Sequence, residues 1–210
     1  MTIREDGRGR IRLKTTLAVM CAVGIASLCG CQVRLPGQRD DEALAEQVRE
    51  MARRRKQAEA LLAEAVAADD AGRKEELYRE ALSLDPSYGK AHNNLGLVYL
   101  EGGDYGEAIG SLREAVQYLP YEPEPRFNLG YAYELVGRLE SAGEQYEAAV
   151  RLSPKDPDYL ESAARVMLRR SGPGDEAVRY LRRALEVETR PEHVAWIREQ
   201  LTALGYGMTP

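Results

Sequence analysis

The chain has 210 residues, 44% of them hydrophobic and 30% charged, with a formal net charge of −5; that is room for one or two domains and an ordinary balance for a soluble, helix-rich protein. One Phe and one Trp stand beside twelve Tyr, a mix that suits thin two-layer packing in which most rings keep one edge in water. Residues 1–30 hold Arg4, Arg8, Arg10, Arg12 and Lys14 against Glu5 and Asp6, which leaves 24 of the 29 basic and 32 of the 34 acidic residues in the rest of the chain; an acidic body argues against nucleic acid as a partner.

In chain order, residues 1–14 are polar and net basic, whereas residues 15–30 (TTLAVMCAVGIASLCG) carry no charge. This is the layout of a signal peptide over 1–30. The apolar run is short and rich in Gly, Ser and Cys, where a spanning helix needs about 20 apolar residues; an uncleaved anchor with incidental cysteines is the other reading. Its end, Leu28-Cys29-Gly30-Cys31, resembles the lipobox of bacterial lipoproteins: a Leu, two small residues, then the Cys that receives a diacylglyceryl group and becomes the new N-terminus. The resemblance implies lipidation at Cys31, with Cys29 as the alternative acceptor where Ala or Ser is usual. With Gln32 rather than Asp next, and a two-membrane host, it implies an outer-membrane lipoprotein facing the periplasm. Cys21, Cys29 and Cys31 are the three cysteines of the chain, so neither a disulfide nor a zinc site is expected in the mature body.

Residues 31–40 contain Pro36 and Gly37 without periodicity and read as a short lipid-anchored tether. From 41 onward the pattern is helical. Asp40 or Asp41 can cap a first helix along which Leu44, Val48, Met51, Ala58, Leu62 and Ala65 recur at roughly heptad spacing. Arg53-Arg54-Arg55-Lys56 within it is either a solvated face pairing with Glu50 and Glu59 or a contact for anionic lipid headgroups.

The next stretch repeats itself. Thirty-four positions separate Asn94 from Asn128, Leu95 from Leu129, Gly96 from Gly130, Tyr99 from Tyr133, Ala108 from Ala142, Ala115 from Ala149 and Pro120 from Pro154. Each copy holds two amphipathic runs split by a Gly (Gly103, Gly137), so each is expected to be a helical hairpin. Gly96 and Gly130 cost about 1 kcal/mol each inside a helix relative to Ala, and close approach of the partner helix, bringing in Ala108 or Ala142, is the expected compensation. Residues 55–88 form a degenerate opening copy with Leu61-Leu62 in place of Leu-Gly. Residues 157–190 form a second degenerate copy, with Ala163-Ala164 at that place and one extra residue in its turn. Pro191 opens a closing helix over 191–204, with Thr189 and Glu192 as a capping box, Val194, Trp196, Ile197, Leu201 and Leu204 inward, and Gly205 as its stop.

The 34-residue period and the L-G-x-x-Y, Ala, Ala, Pro pattern resemble the tetratricopeptide repeat (TPR) family. The resemblance implies an all-α, right-handed α-solenoid of helical hairpins over 41–205, with the closing helix as a cap. It also implies a concave groove lined by the first helix of each hairpin. Carried onto this chain, the ligand-facing positions are Lys90, Asn93, Leu97 and Leu100, then Glu124, Phe127, Tyr131 and Glu134. Asn94 and Asn128 stand where family members often bond the backbone of an extended peptide. Chaperone-binding members carry basic residues where this chain has Glu59, Ala63 and Glu124, so a clamp for a terminal carboxylate is not expected. An apolar centre of Leu97, Phe127 and Tyr131 flanked by carboxylates suits an apolar or basic peptide or helix, although Leu97 and Phe127 could instead pack between helices.

Chemistry-bearing motifs are missing. His92 and His193 have no metal-ligating neighbour at i+3 or i+4, and Ser171-Gly172-Pro173-Gly174 reads as a turn. No catalytic residue, cofactor or metal is expected. The expected function is a membrane-anchored adaptor or scaffold that binds a protein or peptide partner in the bacterial cell envelope. An enzyme subunit with an array-borne site and a self-associating structural envelope protein are the alternatives.

Overall fold

The computed structural model describes residues 38–207. The expected signal peptide, the acceptor Cys31 and residues 31–37 of the expected tether lie outside the described residues. The chain divides into two compact units, Met1–Ala52 and Arg53–Pro210. Among the described residues there are nine helices and no strand: α1 (Gln38–Ala67), α2 (Ala71–Leu84), α3 (Gly89–Gly102), α4 (Tyr105–Tyr118), α5 (Pro123–Leu135), α6 (Leu139–Leu152), α7 (Pro157–Ser171), α8 (Asp175–Val187) and α9 (Pro191–Ala203). None of them is long and apolar enough to cross a membrane.

In the first unit, α1 is already formed at Gln38, so Asp40 and Asp41 lie inside the helix instead of capping it. Leu44, Val48 and Met51, four and three apart and hence on one face, are 60%, 57% and 68% exposed.

The second unit is a stack of hairpins. Helices pack in sequence, α3 on α4, α5 on α6 and α7 on α8 within hairpins, and α2 on α3, α4 on α5, α6 on α7 and α8 on α9 between them. The 34-residue period becomes a repeated set of contacts. Ala81, Ala108, Ala115, Ala142, Ala149 and Ala184 are all fully buried, because the crossing of two helices leaves room for a methyl group and little else. The second helix of each hairpin ends in the same way. The backbone N–H of Asp85, Leu119, Ser153 and Glu188 donates to the carbonyl of Ala81, Ala115, Ala149 and Ala184 respectively. The first helix turns into the second through a left-handed glycine, Gly103 (φ 82°) and Gly137 (φ 75°). Asp104 N–H then reaches Tyr99 O, and Arg138 N–H reaches Tyr133 O, at 2.9 Å in both, which satisfies otherwise orphaned carbonyls.

Gly96 and Gly130 mark the closest approaches, with one correction to the expectation. A Cβ at Gly96 would stand 2.6 Å from Leu112 Cγ, and one at Gly130 2.8 Å from the Tyr146 ring. The Ala108 carbonyl oxygen is farther, at 3.4 Å. The space is therefore filled by the side chain one helical turn beyond the small alanine.

The last helix also differs from expectation at its start. Arg190 is the N-cap of α9 and makes no side-chain capping bond, so Thr189 and Glu192 form no capping box. Glu188 takes over instead: its Oε1 accepts from the backbone N–H of Thr189 and of Arg190, both at 2.8 Å. Ile197 and Leu201 carry the buried face of α9, while Trp196 packs half-buried at the edge of the same cluster.

Candidate functional site

The expected groove residues lie on α3 and α5, and the structure sorts them into exposed and consumed groups. Lys90, Glu124 and Tyr131 are exposed, and Asn94, Leu97 and Leu100 are half-buried. Lys90, Asn93, Asn94 and Glu124 share a cleft of about 350 Å³ with Leu62, Leu119 and Pro125. With Glu122 also in the lining, two carboxylates, an ammonium and two amides thus surround an apolar floor, a lining that can hold an extended peptide by its backbone and one apolar side chain.

Four expected groove residues, Asn93, Asn128, Phe127 and Glu134, are instead engaged inside the stack, Asn93 while also lining the cleft. Asn128 is buried and its Nδ2 donates to Asn93 Oδ1 at 3.0 Å; Asn93 Nδ2 donates weakly to Asn94 Oδ1 at 3.3 Å and Glu124 Oε1 at 3.4 Å. The pair satisfies two buried amides across the α3–α5 junction, so Asn128 is committed to its neighbour. Phe127 packs between rings, with centroids 5.5 Å from Tyr146 and 4.9 Å from Tyr159; of the two placements the sequence left open for it, packing between helices is the one the structure shows. Glu134, with its side chain 9% exposed, accepts from Tyr146 Oη at 2.9 Å, Arg165 Nη2 at 3.0 Å and Arg169 Nη1 at 2.5 Å. Burial alone would raise the Glu134 carboxyl. The hydrogen bonds from Arg165 and Tyr146 and the charges of Arg165 and Arg169 outweigh it and hold the group below the usual carboxylate range. Tyr146 is correspondingly raised, first by burial and then by Glu134.

A second cleft, of about 310 Å³, lies where α7 meets α9 and is lined by Glu161, Arg165, Glu192, His193 and Trp196. Three of its lining residues stand at twice the 34-residue period from residues of the first cleft: Asn93 corresponds to Glu161, Glu124 to Glu192 and Pro125 to His193. Glu161 Oε2 pairs with His193 Nδ1 at 2.8 Å. Burial raises the Glu161 carboxyl, and the bond to Glu161 raises the His193 imidazole. Glu188, with its side chain 1% exposed, is held well below the usual range, first by its hydrogen bond from Arg190. Among the described residues, Asp158, Glu188 and His193 bring one potential metal-ligating atom each within 4.8 Å of one another. Sequence spacing missed this grouping because the partners of His193 come from 35 and 5 positions upstream and sit on other helices. Carrying the groove positions one more repeat, to Asp158, Glu161 and Arg165, was the signal that would have found the cleft.

His92 and the basic run have structural partners. His92 Nε2 lies 2.9 Å from Pro86 O, and its ring stacks 5.7 Å from Tyr118. Arg55 pairs with Asp85 and lies 3.8 Å over the Tyr88 ring, so one member of the Arg-Arg-Arg-Lys run joins the part of α1 within the second unit to the turn after α2.

The hairpins, the glycine at each closest approach and the clefts between successive first helices define a tetratricopeptide-repeat fold. Two family models described as tetratricopeptide repeat match residues 77–110 and 99–166, and the chain carries tetratricopeptide repeats. It is similar to the photosystem I assembly protein Ycf3 of Synechococcus sp. (strain CC9605), 29% identical over 94 residues, which are 43% of this chain and 54% of the relative. Ycf3 of Prochlorococcus marinus (strain NATL2A) is 29% identical over 96 residues, 38% of this chain and 56% of the relative. The chain thus spans about half the length of the curated relatives it matches. Among solved structures, MamA of Desulfovibrio magneticus RS-1 superposes with a TM-score of 0.57 at 24% identity, over 62% of this chain and 75% of that one. PilF of Pseudomonas aeruginosa superposes with a TM-score of 0.59 at 23% identity, over 72% and 78%. These likenesses show the fold.

Proposed function

We propose that this chain is a scaffold that binds a protein or peptide partner along the first helices of its hairpins, tethered to a bacterial envelope membrane through a lipid on Cys31. The observation that carries the reading is the cleft between α3 and α5: exposed Lys90 and Glu124 beside the half-buried Asn94, over the apolar Leu62 and Leu119. Its mixed lining supplies backbone bonding and one apolar subsite, which is recognition chemistry and offers no activated nucleophile or paired acid and base. The name of the similar Ycf3 proteins, photosystem I assembly protein, supports an assembly or scaffolding role over catalysis. The anchor rests on Leu28-Cys29-Gly30-Cys31, and the outer membrane facing the periplasm is the location proposed for it.

A photo-crosslinking residue placed at Asn94 or Tyr131 in the native envelope should capture one defined protein. The same residue at Gln117, exposed on α4, should not. Equal capture at Gln117 removes the cleft from the account. For the anchor, the mature chain should begin at Cys31 with the mass of an acylated cysteine, and Cys31→Ala should leave the leader attached; an unmodified chain starting at Met1 ends that part of the reading.

A further inference from the structure

The fourth hairpin and α9 gather two carboxylates and an imidazole from three helix ends. Asp158 lies in the first turn of α7, Glu188 at the C-cap of α8 and His193 in the first turn of α9. Glu161, one turn along from Asp158, is 7% exposed; its Oε2 lies 2.8 Å from His193 Nδ1, and its Oε1 is buried with no hydrogen-bond partner. One guanidinium serves the cluster: Arg190 Nη2 lies 2.6 Å from both Asp158 Oδ1 and Glu188 Oε2. Three carboxylates and an imidazole are therefore gathered around one guanidinium, Glu161 and Glu188 lie in side-chain contact with each other, and Glu161 Oε1 accepts from no N–H or O–H donor of its neighbours. A buried orphan of that kind asks for a donor or a cation.

The geometry points to a binding site for one first-row divalent transition-metal ion, with Asp158, Glu188 and His193 as its ligands and Glu161, paired with His193, closing the set from the buried side. One ligand atom each of Asp158, Glu188 and His193 lies within 4.8 Å of the others, and Glu161 Oε2 is already against the His193 ring. Such atoms can converge on a common centre at metal–ligand distances of about 2.0–2.2 Å after small side-chain rotations. The imidazole selects against calcium and magnesium, which take oxygen donors, and the mixed nitrogen and carboxylate set suits zinc or manganese. Arg190, with its side chain 39% exposed, has room to swing into water and give up its place among the carboxylates. The cleft of about 310 Å³ that Glu161 and His193 line is the access route and can hold a ligand water. An ion here would join α7, the end of α8 and α9 through ligands that hydrogen bonds and one guanidinium now hold together. The site lies outside what the positions of the cysteines and the neighbours of the histidines led the sequence reading to expect, and it does not depend on the proposed partner binding.

The test uses the full chain with Cys21, Cys29 and Cys31 alkylated, so that thiols cannot take the metal. After chelator treatment, calorimetric titration with zinc and with manganese should show one equivalent bound and a rise in the melting temperature. Glu161→Gln and His193→Ala should each weaken binding at least about tenfold. Arg190→Gln should leave it equal or tighten it, because the competing guanidinium is gone, and His92→Ala should not change it. Cobalt should give the visible ligand-field bands of a nitrogen and oxygen site in the unsubstituted chain, a readout that stands even if a variant fails to fold. Absence of stoichiometric binding by either ion, or affinity unchanged in a folded His193→Ala variant, overturns the assignment. A folded Arg190→Gln variant that loses the ion also overturns it, by making Arg190 a partner of the site and not its competitor.

Discussion

Two successive junctions in the stack share a backbone period and differ in what fills them. Between α3 and α5 the join is a pair of buried amides, Asn93 with Asn128, and the glycine at the closest approach meets Leu112, which clusters with Leu100. One repeat on, Leu112 becomes Tyr146 and Leu100 becomes Glu134, and the phenol donates to the carboxylate at 2.9 Å. Asn93 becomes Phe127, which packs on Tyr146 and Tyr159. An apolar pair has thus been exchanged for a hydrogen-bonded one at the same two positions. The lesson is that the period specifies where helices meet, while the chemistry of each meeting is chosen locally and in pairs. Arg165 and Arg169 complete the second choice by covering the charge that Glu134 brings.

The largest difference between the junctions should appear on truncation. Tyr146 is fully buried and wedged between Gly130 and Phe127, so Tyr146→Ala should cost about 3–5 kcal/mol, as large aromatic deletions in cores do. Asn93→Ala leaves the Asn128 amide without its acceptor, which should cost about 1–3 kcal/mol. Urea unfolding of the two variants measures both values. If Asn93→Ala proves the more damaging, the amide pair and not the aromatic wedge is the stronger fastening.

The ion cluster should set an acid limit for the second junction only. Glu134 titrates in the folded chain below its usual value of 4.5, so its contribution is complete above pH about 4.5 and is lost as the pH falls through the folded value. Glu134→Gln should lower stability at pH 7 by about 1–2 kcal/mol, a figure kept modest because Arg165 and Arg169 are 43% and 50% exposed. The same variant should show a shallower loss of stability between pH 5 and 3 (about one group's worth). Parallel acid limbs for the parent and variant would mean that Glu134 carries no linkage.

How much of this was legible depended on whether a neighbour had to be known. Helix positions, the buried alanines and the glycine turns recur in sequence, and the period alone locates them. Phe127, Asn128 and Glu134 occupy positions on the border between groove and core, where the side chain's fate is decided by what lies 31 to 35 residues away. Arg165 and Arg169 for Glu134, Tyr159 for Phe127 and Asn93 for Asn128 have no local signal. The same distance hid Glu161 from His193. Start signals failed at α9 because Glu188, a residue of the preceding helix end, took the backbone donors that Thr189 and Glu192 were expected to serve.

The glycines give the smallest but sharpest test of the paired exchange. Replacing a helical glycine by alanine gains about 1 kcal/mol of helix propensity, and overpacking costs about 1–3 kcal/mol when the neighbour cannot move. At Gly130 the neighbour is the Tyr146 ring, tied by its hydroxyl to Glu134 and by its face to Phe127, so Gly130→Ala should be net destabilising by about 1–2 kcal/mol. At Gly96 the neighbour is Leu112, an aliphatic side chain without a polar tie, and Gly96→Ala should lie within about 1 kcal/mol of the parent. The fourth hairpin already shows that an alanine and a leucine fit together here, since Ala164 and Leu181 hold the corresponding places and both are fully buried. In a Tyr146→Leu background, Gly130→Ala should therefore become neutral or stabilising. Thermal melts of the four chains that make up this cycle would decide it: a penalty for Gly130→Ala that survives the change to leucine would place the constraint in the backbone approach of α5 and α6 and not in the ring.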